Sequence, residues 1–393
     1  METSPAHRES ALITWAFLAI VGAFLVFPLA NDFGGFIEER PPHGMPPPKP
    51  ARHFSLKGFK DRSWQKSLEP RAKRASGLWR PLTLVANDIY SRLFGQISAF
   101  NNGSVMEGHH RHLIQGAHLP ALNHRKAKGM RKMPQRIATL KMLQDQLRAR
   151  GKNLILMVTP NVTEIYPEVV PDIFLDPTRF TRQHPYQRVK KLLDESGLVY
   201  VDTVETLRAA AQSLPVKLFA PSASHWNDVG SCLALKAVND RLRSVGGPRW
   251  RDFSCDNFTI EARPRSKDRD LLDIANVLTR SRFEAPTPYV SIRYTEPAQA
   301  RPPSALLVGT SYLFAISEHL FDWGLAKDHR LFFYFKQWRA GGERKFFTLR
   351  RERLDWEEIL SRDIIIINVG MGRPTTMGYG FIEAAAEYLS KQP

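Results

Sequence analysis

Cysteine is almost missing from this chain of 393 residues, which contains only Cys232 and Cys255. Two thiols are too few for a disulfide-dense scaffold or for a zinc site with four cysteine ligands. Long apolar runs are also scarce, and the mean hydropathy of -0.32 excludes a protein that crosses the membrane many times. With 43% hydrophobic and 24% charged residues, the composition is that of a globular protein rather than a disordered or fibrous one.

Acidic residues are the minority among the charged ones. The chain has 39 Asp and Glu against 56 Lys and Arg, which gives a formal net charge of +17. A charge of this size predicts an anionic partner, such as a polysaccharide, a phospholipid surface or a nucleic acid. No P-loop, zinc-finger or homeodomain pattern supports nucleic acid, so we expect no nucleic-acid partner.

One uncharged apolar run lies near the start of the chain, at residues 11–30. A helix of this length spans about 30 Å, the thickness of the hydrocarbon core of a bilayer. We expect a transmembrane anchor there, after a short tail at 1–10, with a cleaved signal peptide as the alternative. Residues 41–50 predict a proline-rich spacer within a basic linker at 31–84, and a single domain follows at 85–393.

Apolar segments of strand length alternate with amphipathic segments of helix length from residue 133 onward. This alternation predicts an α/β fold with a mostly parallel sheet flanked by helices. The predicted helices lie at 133–150, 187–195, 227–245, 313–325 and 381–389. The predicted strands lie at 153–159, 198–204, 305–308, 331–336 and 364–368.

Two residues have the local context of a catalytic pair. Ser311 follows a predicted strand and precedes a predicted helix, at the sheet edge where active sites of parallel α/β proteins gather. Its hydroxyl is either a nucleophile or, like that of Thr310, a helix cap. His225 precedes a long helix and can deprotonate a serine near neutral pH, or it is structural. Trp226 next to it either shields the ring from water or packs in the core.

Three blocks follow one another in the chain: Pro160-Asn161 with Ile165-Tyr166-Pro167-Glu168, then Ser224-His225-Trp226-Asn227, then Gly309-Thr310-Ser311-Tyr312. These blocks resemble the alginate O-acetylation proteins of the AlgJ/AlgX type, which belong to a wider SGNH-hydrolase-like group. The similarity covers roughly residues 85 to 390. It implies an SGNH-hydrolase-like fold in which Ser311 is the catalytic nucleophile and His225 is the catalytic base.

One position departs from the family pattern, in which an acid stands two residues before the histidine. Here that position is Ala223. Because the acid orients the imidazole, the site is a Ser–His dyad, borrows another carboxylate, or is inactive. Asp228 is the nearest acid in sequence and a candidate support. Tyr166 is either a wall of the site or core, and Asn368 and Gly370 can supply amide donors at the sheet edge.

The resemblance implies a membrane-anchored O-acetyltransferase of the bacterial inner membrane whose catalytic domain lies in the periplasm. Its substrate is then the hydroxyls of a secreted, acidic exopolysaccharide, and a membrane-bound O-acyltransferase supplies the acetyl group. Two alternatives stay open. A non-catalytic polysaccharide-binding or assembly subunit could keep the fold, which Ala223 supports, or the chain could be a carbohydrate acetylesterase.

No cofactor and no metal ion is expected. His109, His110 and His112 have no acidic or cysteine partner at a recognisable spacing, so we interpret them as an exposed polar turn. In an oxidising compartment Cys232 and Cys255 can pair, and two unpaired core thiols are the alternative.

Overall fold

The structure is a computed structural model that describes residues 5–36, 41–44, 52–75, 77–99, 103–125, 129–181 and 183–392. The helices are Pro5–Gly34 (α1), Leu56–Lys60 (α2), Ser63–Ala75 (α3), Trp79–Phe94 (α4), Leu119–Leu122 (α5), Met133–Ala149 (α6), Val162–Ile165 (α7), Pro185–Glu195 (α8), Thr203–Ser213 (α9), Asp228–Val245 (α10), Asp270–Ala275 (α11), Leu313–Asp322 (α12), Trp356–Leu360 (α13) and Phe381–Ser390 (α14). The strands are Gln96–Ala99 (β1), Gly103–Glu107 (β2), Leu113–Gln115 (β3), Asn153–Thr159 (β4), Tyr200–Asp202 (β5), Phe253–Ser254 (β6), Phe258–Glu261 (β7), Thr287–Val290 (β8), Arg293–Tyr294 (β9), Ala305–Gly309 (β10), His329–Phe333 (β11), Gln337–Ala340 (β12), Phe347–Thr348 (β13) and Ile364–Gly370 (β14).

The chain divides into two compact units, and the first contains residues 1–105 together with 272–280. Within it, the buried Asn87 of α4 donates a hydrogen bond to the Ala275 carbonyl at 2.7 Å. Asp88 accepts bonds from the N–H and the hydroxyl of Thr279 at 3.2 and 3.0 Å. These bonds attach the 272–280 segment to α4.

The apolar run at 11–30 lies in α1. Among the helices of the described residues, none combines the length and the apolar character that a membrane crossing requires. The transmembrane anchor predicted at 11–30 is therefore not found there. Residues 45–50 of the predicted spacer at 41–50 lie outside the described residues, and the predicted domain start at residue 85 stays a prediction.

A seven-stranded sheet forms the centre of the second unit, in the order β13-β12-β11-β10-β14-β4-β5. The strands from β11 to β5 in this order run parallel, whereas β12 and β13 add to one side in antiparallel pairs. Every residue of β4 and β10 is buried, which is typical of parallel strands covered on both faces. The predicted mostly parallel α/β sheet is confirmed.

Helices pack on this sheet in two groups. α6 contacts β4 and α14, and α10 contacts β4, β5, α9 and α12. The predicted strand at 198–204 is shorter than expected, because the Asp202 side chain accepts bonds from the N–H groups of Val204 and Glu205. This N-cap begins α9 at Thr203, a helix that the sequence reading missed.

Cys232 of α10 and Cys255 form a disulfide bond, with an S–S distance of 1.98 Å. Both residues are buried. The pairing alternative of the sequence reading is thus the one that the fold adopts, and it ties α10 to the segment around β6.

The carboxyl ends of β10, β14 and β4 meet at one edge of the sheet. Val308 of β10 lies opposite Ile367 of β14, and Gly370 of β14 lies opposite Thr159 of β4. The segments that follow these strands therefore emerge side by side. One of these segments carries Ser311.

Candidate active site

Ser311 lies two residues beyond the end of β10. Gly309 closes the strand so tightly against β14 that an added Cβ would come within 2.7 Å of the Asn368 Cβ. Thr310 follows, and its N–H and hydroxyl donate to Asn368 Oδ1 at 3.1 and 2.7 Å. The helix after it, α12, begins at Leu313 without a side-chain cap. The Ser311 hydroxyl is therefore not used as a helix cap.

His225 lies in the loop before α10, and its Nε2 is 2.6 Å from Ser311 Oγ. Asn227 fixes this loop in two ways. Its N–H donates to the Leu218 carbonyl at 2.8 Å, and its side chain accepts from the Gly230 N–H at 3.1 Å. The fold thus brings together two residues that are 86 positions apart in the sequence.

The acid that meets His225 is Asp270, the first residue of α11. Its Oδ2 is 2.8 Å from His225 Nδ1, and its Oδ1 accepts from the Ser224 N–H at 2.9 Å. The Ser224 hydroxyl also donates to Asp270 Oδ2. Of the three options left open by Ala223, the borrowed carboxylate is the one that the geometry supports. Ala223 itself is buried and immediately precedes Ser224, whose N–H binds Asp270.

The electrostatics of Asp270 suit an ionised partner for an imidazolium. Burial by itself would raise the pKa of the Asp270 carboxyl, but the His225 ring and the hydrogen bonds from His225 and Ser224 outweigh it and hold that pKa below its ordinary value. The neutral His225 ring then carries its proton on Nδ1, facing Asp270, and offers the Nε2 lone pair to Ser311. This arrangement can transfer a proton away from the Ser311 hydroxyl.

Aromatic packing fixes the His225 ring from the side. The Tyr312 ring stands edge-on to His225 and to Trp226, with centroids 4.8 and 4.9 Å apart. The Tyr312 hydroxyl donates to the Ser224 carbonyl at 2.9 Å. Burial raises the pKa of Tyr312 well above its ordinary value, so the hydroxyl stays a donor. Trp226 is 3% exposed and packs in the core, the second of its two expected roles.

Asp228 does not support the site, contrary to the sequence expectation. It lies in the first turn of α10, where its Oδ1 binds Lys267 at 2.6 Å and its Oδ2 accepts from the Val290 N–H at 2.8 Å. Both oxygens are therefore engaged by partners other than His225. The buried Tyr166 has a structural role as well, because its hydroxyl accepts from the Leu218 N–H at 3.0 Å and supports the loop that carries His225.

Asn368 is completely buried and acts through Thr310 rather than on an oxyanion. Its Oδ1 holds Thr310, and its Nδ2 donates to Thr159 Oγ1 at 2.9 Å. Because both ends of the side-chain amide are engaged, this side chain offers no free donor at the sheet edge. Asn368 is a positioning residue for the turn before Ser311. Gly370, the other residue expected to supply an amide donor, is the last residue of β14.

A free donor does exist at this edge, on Asn161. Its Nδ2 is buried without a hydrogen-bond partner among the described residues. Its N–H donates to Glu164 Oε2 at 2.6 Å, so the residue is fixed in place. A Cβ on Gly372 would approach Asn161 Nδ2 to 2.9 Å and His118 Cδ2 to 3.3 Å. The glycine thus keeps space open beside this amide.

His118 is a second neighbour that the sequence reading missed. Burial, and after it the charges of His225 and Arg373, lower the pKa of His118 to about 4. The ring is therefore neutral around pH 7. No spacing rule singled out His118 or Asp270, because several histidines and aspartates surround each of them in the sequence.

The turn that contains His109, His110 and His112 is only partly exposed, whereas the sequence predicted a fully exposed turn. His109 and His110 are exposed, but His112, the residue before β3, is buried near Tyr166, with the ring centroids 6.5 Å apart. Burial lowers the pKa of His112. Within the described ranges, no group of three His, Cys, Asp or Glu side chains is arranged to hold a metal ion.

Comparison with known proteins places this geometry in context. The family model of the SGNH hydrolase-like domain of the acetyltransferase AlgX matches residues 121–328, which include Ser311, His225 and Asp270. No curated protein sequence gives a match. Solved structures that are similar include the O-acetyltransferase domain of Pseudomonas putida AlgJ, at 14% identity and a TM-score of 0.46 over 72% of this chain and 99% of that one. Pseudomonas aeruginosa AlgX follows at 11% identity and 0.43, over 71% and 67%. A DHHW family protein from Eubacterium siraeum gives 10% and 0.42, over 73% and 97%.

Proposed function

Because this chain belongs to the family of SGNH hydrolase-like acetyltransferase domains of the AlgX type, we propose that it transfers acetyl groups to hydroxyls of a secreted polysaccharide through Ser311. The observation that supports this proposal best is the continuous relay from Asp270 through His225 to Ser311. Such a relay supports Ser311 as the nucleophile. It also weakens the argument for a non-catalytic subunit, which was the missing acid at Ala223.

The reaction has two steps with one proton relay. In the first, Ser311 Oγ attacks the carbonyl carbon of an acetyl ester while His225 Nε2 takes its proton, and the imidazolium then protonates the departing alcohol. In the second, a sugar hydroxyl attacks the acetyl-serine ester, gives its proton to His225, and releases Ser311 with that proton returned. Asp270 stabilises the imidazolium in both steps.

Two donors are available for the oxyanion that forms in each step. The backbone N–H of Ser311 makes no hydrogen bond to any described residue. The Asn161 amide lies free at the end of the strand two places along the sheet. Donors that are fixed before the reaction stabilise the developing charge without reorganisation. We assign both to this role.

We propose that the domain works in the periplasm of a bacterium, at the inner membrane. The buried disulfide between Cys232 and Cys255 supports this location, since disulfides persist in oxidising compartments. The acetyl group would come from a membrane-bound O-acyltransferase, as the family resemblance implies. A reporter fused at Pro393 should be active only if its chemistry works outside the cytoplasm, and cytoplasmic activity would contradict this location.

The decisive experiment uses the purified full chain, 4-nitrophenyl acetate as donor and an oligosaccharide of a uronic acid as acceptor. We expect acetylated oligosaccharide by mass spectrometry, and an acetyl group on Ser311 in the absence of acceptor. Ser311→Ala should abolish both products while the thermal unfolding midpoint changes little. Release of acetate with no acetylated sugar would instead identify an acetylesterase. Acetyl transfer by Ser311→Ala would overturn the mechanism.

A further inference from the structure

Two tyrosines with an unusual backbone conformation lie at the same sheet edge as Ser311. Tyr334 and Tyr379 have φ angles of 52° and 51°, in the left-handed region that bulky residues rarely adopt. Their rings pack against each other with centroids 4.9 Å apart. The Tyr334 N–H donates to the Gly309 carbonyl at 2.8 Å, which places it beside the segment that carries the nucleophile. Such strained backbones persist only where the surrounding structure holds them.

Arg351 is the group that holds this pair. Its Nε donates to the carbonyl of Phe335, another left-handed residue, at 2.9 Å, and its Nη2 donates to the Tyr379 carbonyl at 3.4 Å. Its guanidinium also stacks 4.5 Å from the centre of the Phe335 ring. Arg351 therefore links the two segments, and the tyrosine rings form a fixed, half-buried surface rather than loose side chains.

Arg373 supplies a cation next to this surface. It is exposed, it follows the end of β14, and its N–H donates to the Gly370 carbonyl at 3.1 Å. No carboxylate among the described residues pairs with its guanidinium. Burial raises the pKa of Tyr379, and the positive charge of Arg373 opposes that rise. The same charge helps to lower the pKa of His118. Arg373 is also joined to the segment of Tyr379, because its carbonyl accepts from the Thr376 N–H at 3.1 Å.

We propose that Tyr334, Tyr379 and Arg373 form an acceptor subsite that holds a carboxylated sugar unit next to the one acetylated at Ser311. Tyrosine rings offer a flat apolar face with a polar edge, which suits the C–H face of a sugar ring. An arginine without a protein partner can bind a carboxylate through two parallel hydrogen bonds. The inference rests on the proposed function and adds which residues select an acidic polymer.

The test measures binding by titration calorimetry, with the full chain carrying Ser311→Ala so that no turnover occurs. The probes are an oligomer of about six 1,4-linked uronic acids, its carboxyl-reduced neutral form and a sulfated neutral form. We expect Arg373→Gln to weaken binding of the uronate about tenfold or more, and to leave binding of the neutral oligomer unchanged. Tyr334→Asn, which removes the ring and tolerates the left-handed backbone, should weaken both.

Arg150→Gln is the matched control. It removes the same charge from an exposed residue just before β4, at the amino edge of the sheet, and should change no affinity. Equal losses for Arg373→Gln and Arg150→Gln would show that only net charge matters and would overturn the subsite. Equal binding of the uronate and its reduced form by the parent, or tighter binding of the sulfated form, would also overturn it. Selective binding without acetyl transfer by the active chain would instead refute the proposed function and keep the subsite.

Discussion

Replacing Asp270 by Asn removes the acceptor that fixes the proton position on His225. In the native site His225 Nδ1 donates to Asp270 Oδ2 at 2.8 Å, and Nε2 is left to accept the Ser311 proton at 2.6 Å. An asparagine amide that faces Nδ1 with its N–H group forces the ring proton onto Nε2. The ring then points an N–H at Ser311 and has no lone pair there to act as a base.

The expected loss of turnover is large, because Asp270→Asn changes the proton position on His225 while the side chain keeps nearly the same size and shape. In a Ser–His–Asp triad the same substitution lowers kcat about 10⁴-fold, which corresponds to roughly 5 kcal/mol of activation free energy. We expect a decrease of this order in the turnover of 4-nitrophenyl acetate at pH 7. KM should change much less, because Asp270 contacts His225 and Ser224 rather than the ester. Since the pKa of Asp270 is held low, the native carboxylate stays ionised throughout the neutral range.

Asp228→Asn provides the control for this experiment. Asp228 is also a buried aspartate, but its oxygens bind Lys267 and the Val290 N–H. Its loss should lower the thermal unfolding midpoint and leave the turnover per folded molecule near the native value. If Asp270→Asn keeps more than about a tenth of the native kcat, then Asp270 does not orient the base, and the proposed mechanism fails.

Three further changes test the fold around the site. Replacing Cys232 and Cys255 by Ser should lower the free energy of unfolding by about 3 kcal/mol in urea titrations, because the bond closes a loop across a sequence separation of 23. Asn368→Ala leaves two partly buried donors of Thr310 without an acceptor, so it should cost about 1–3 kcal/mol in the same assay and also lower kcat. Burial raises the pKa of Glu164 to about 7. The free energy of unfolding is therefore highest below the unfolded pKa of about 4.3, and it falls as the pH rises through 7, because the buried carboxyl resists ionisation. The stability of the Glu164→Gln variant should therefore lack this decline, which amounts to at most about 4 kcal/mol.

Local signals in the sequence predicted most of the central sheet. The strand at 153–159 was placed correctly, because a continuous apolar run lies between Gly151 and Pro160. The strand predicted at 198–204 is too long, because the apolar pattern continues past Asp202 although that side chain caps a helix. The short antiparallel strands β12 and β13 have no sequence signal, because their residues are mostly exposed or half-buried and carry no clear alternation.

Some residues of the candidate site could likewise be predicted from the sequence, and one could not. Ser311 and His225 were proposed from the sequence because each follows or precedes a predicted element in a recognisable order. Asp270 was not, because it lies 45 residues beyond His225 in a segment that also contains Asp268 and Asp273. Only the tertiary fold decides which of these carboxylates reaches the ring. Asp268, for instance, accepts from the Tyr289 hydroxyl at 2.8 Å instead.

The carboxylate that orients His225 can therefore come from more than one place in the chain. If so, the double variant Ala223→Asp with Asp270→Ala should recover a large part, on the order of 100-fold, of the turnover lost in Asp270→Ala alone. Ala223→Asp alone should give no gain, because the single Nδ1 proton is already bound to Asp270. A second carboxylate in this buried place should also destabilise the fold through repulsion and desolvation. The comparison uses 4-nitrophenyl acetate turnover normalised to folded protein. A gain in turnover by Ala223→Asp with Asp270 intact would show that the native acid is absent, and would refute the assignment of Asp270.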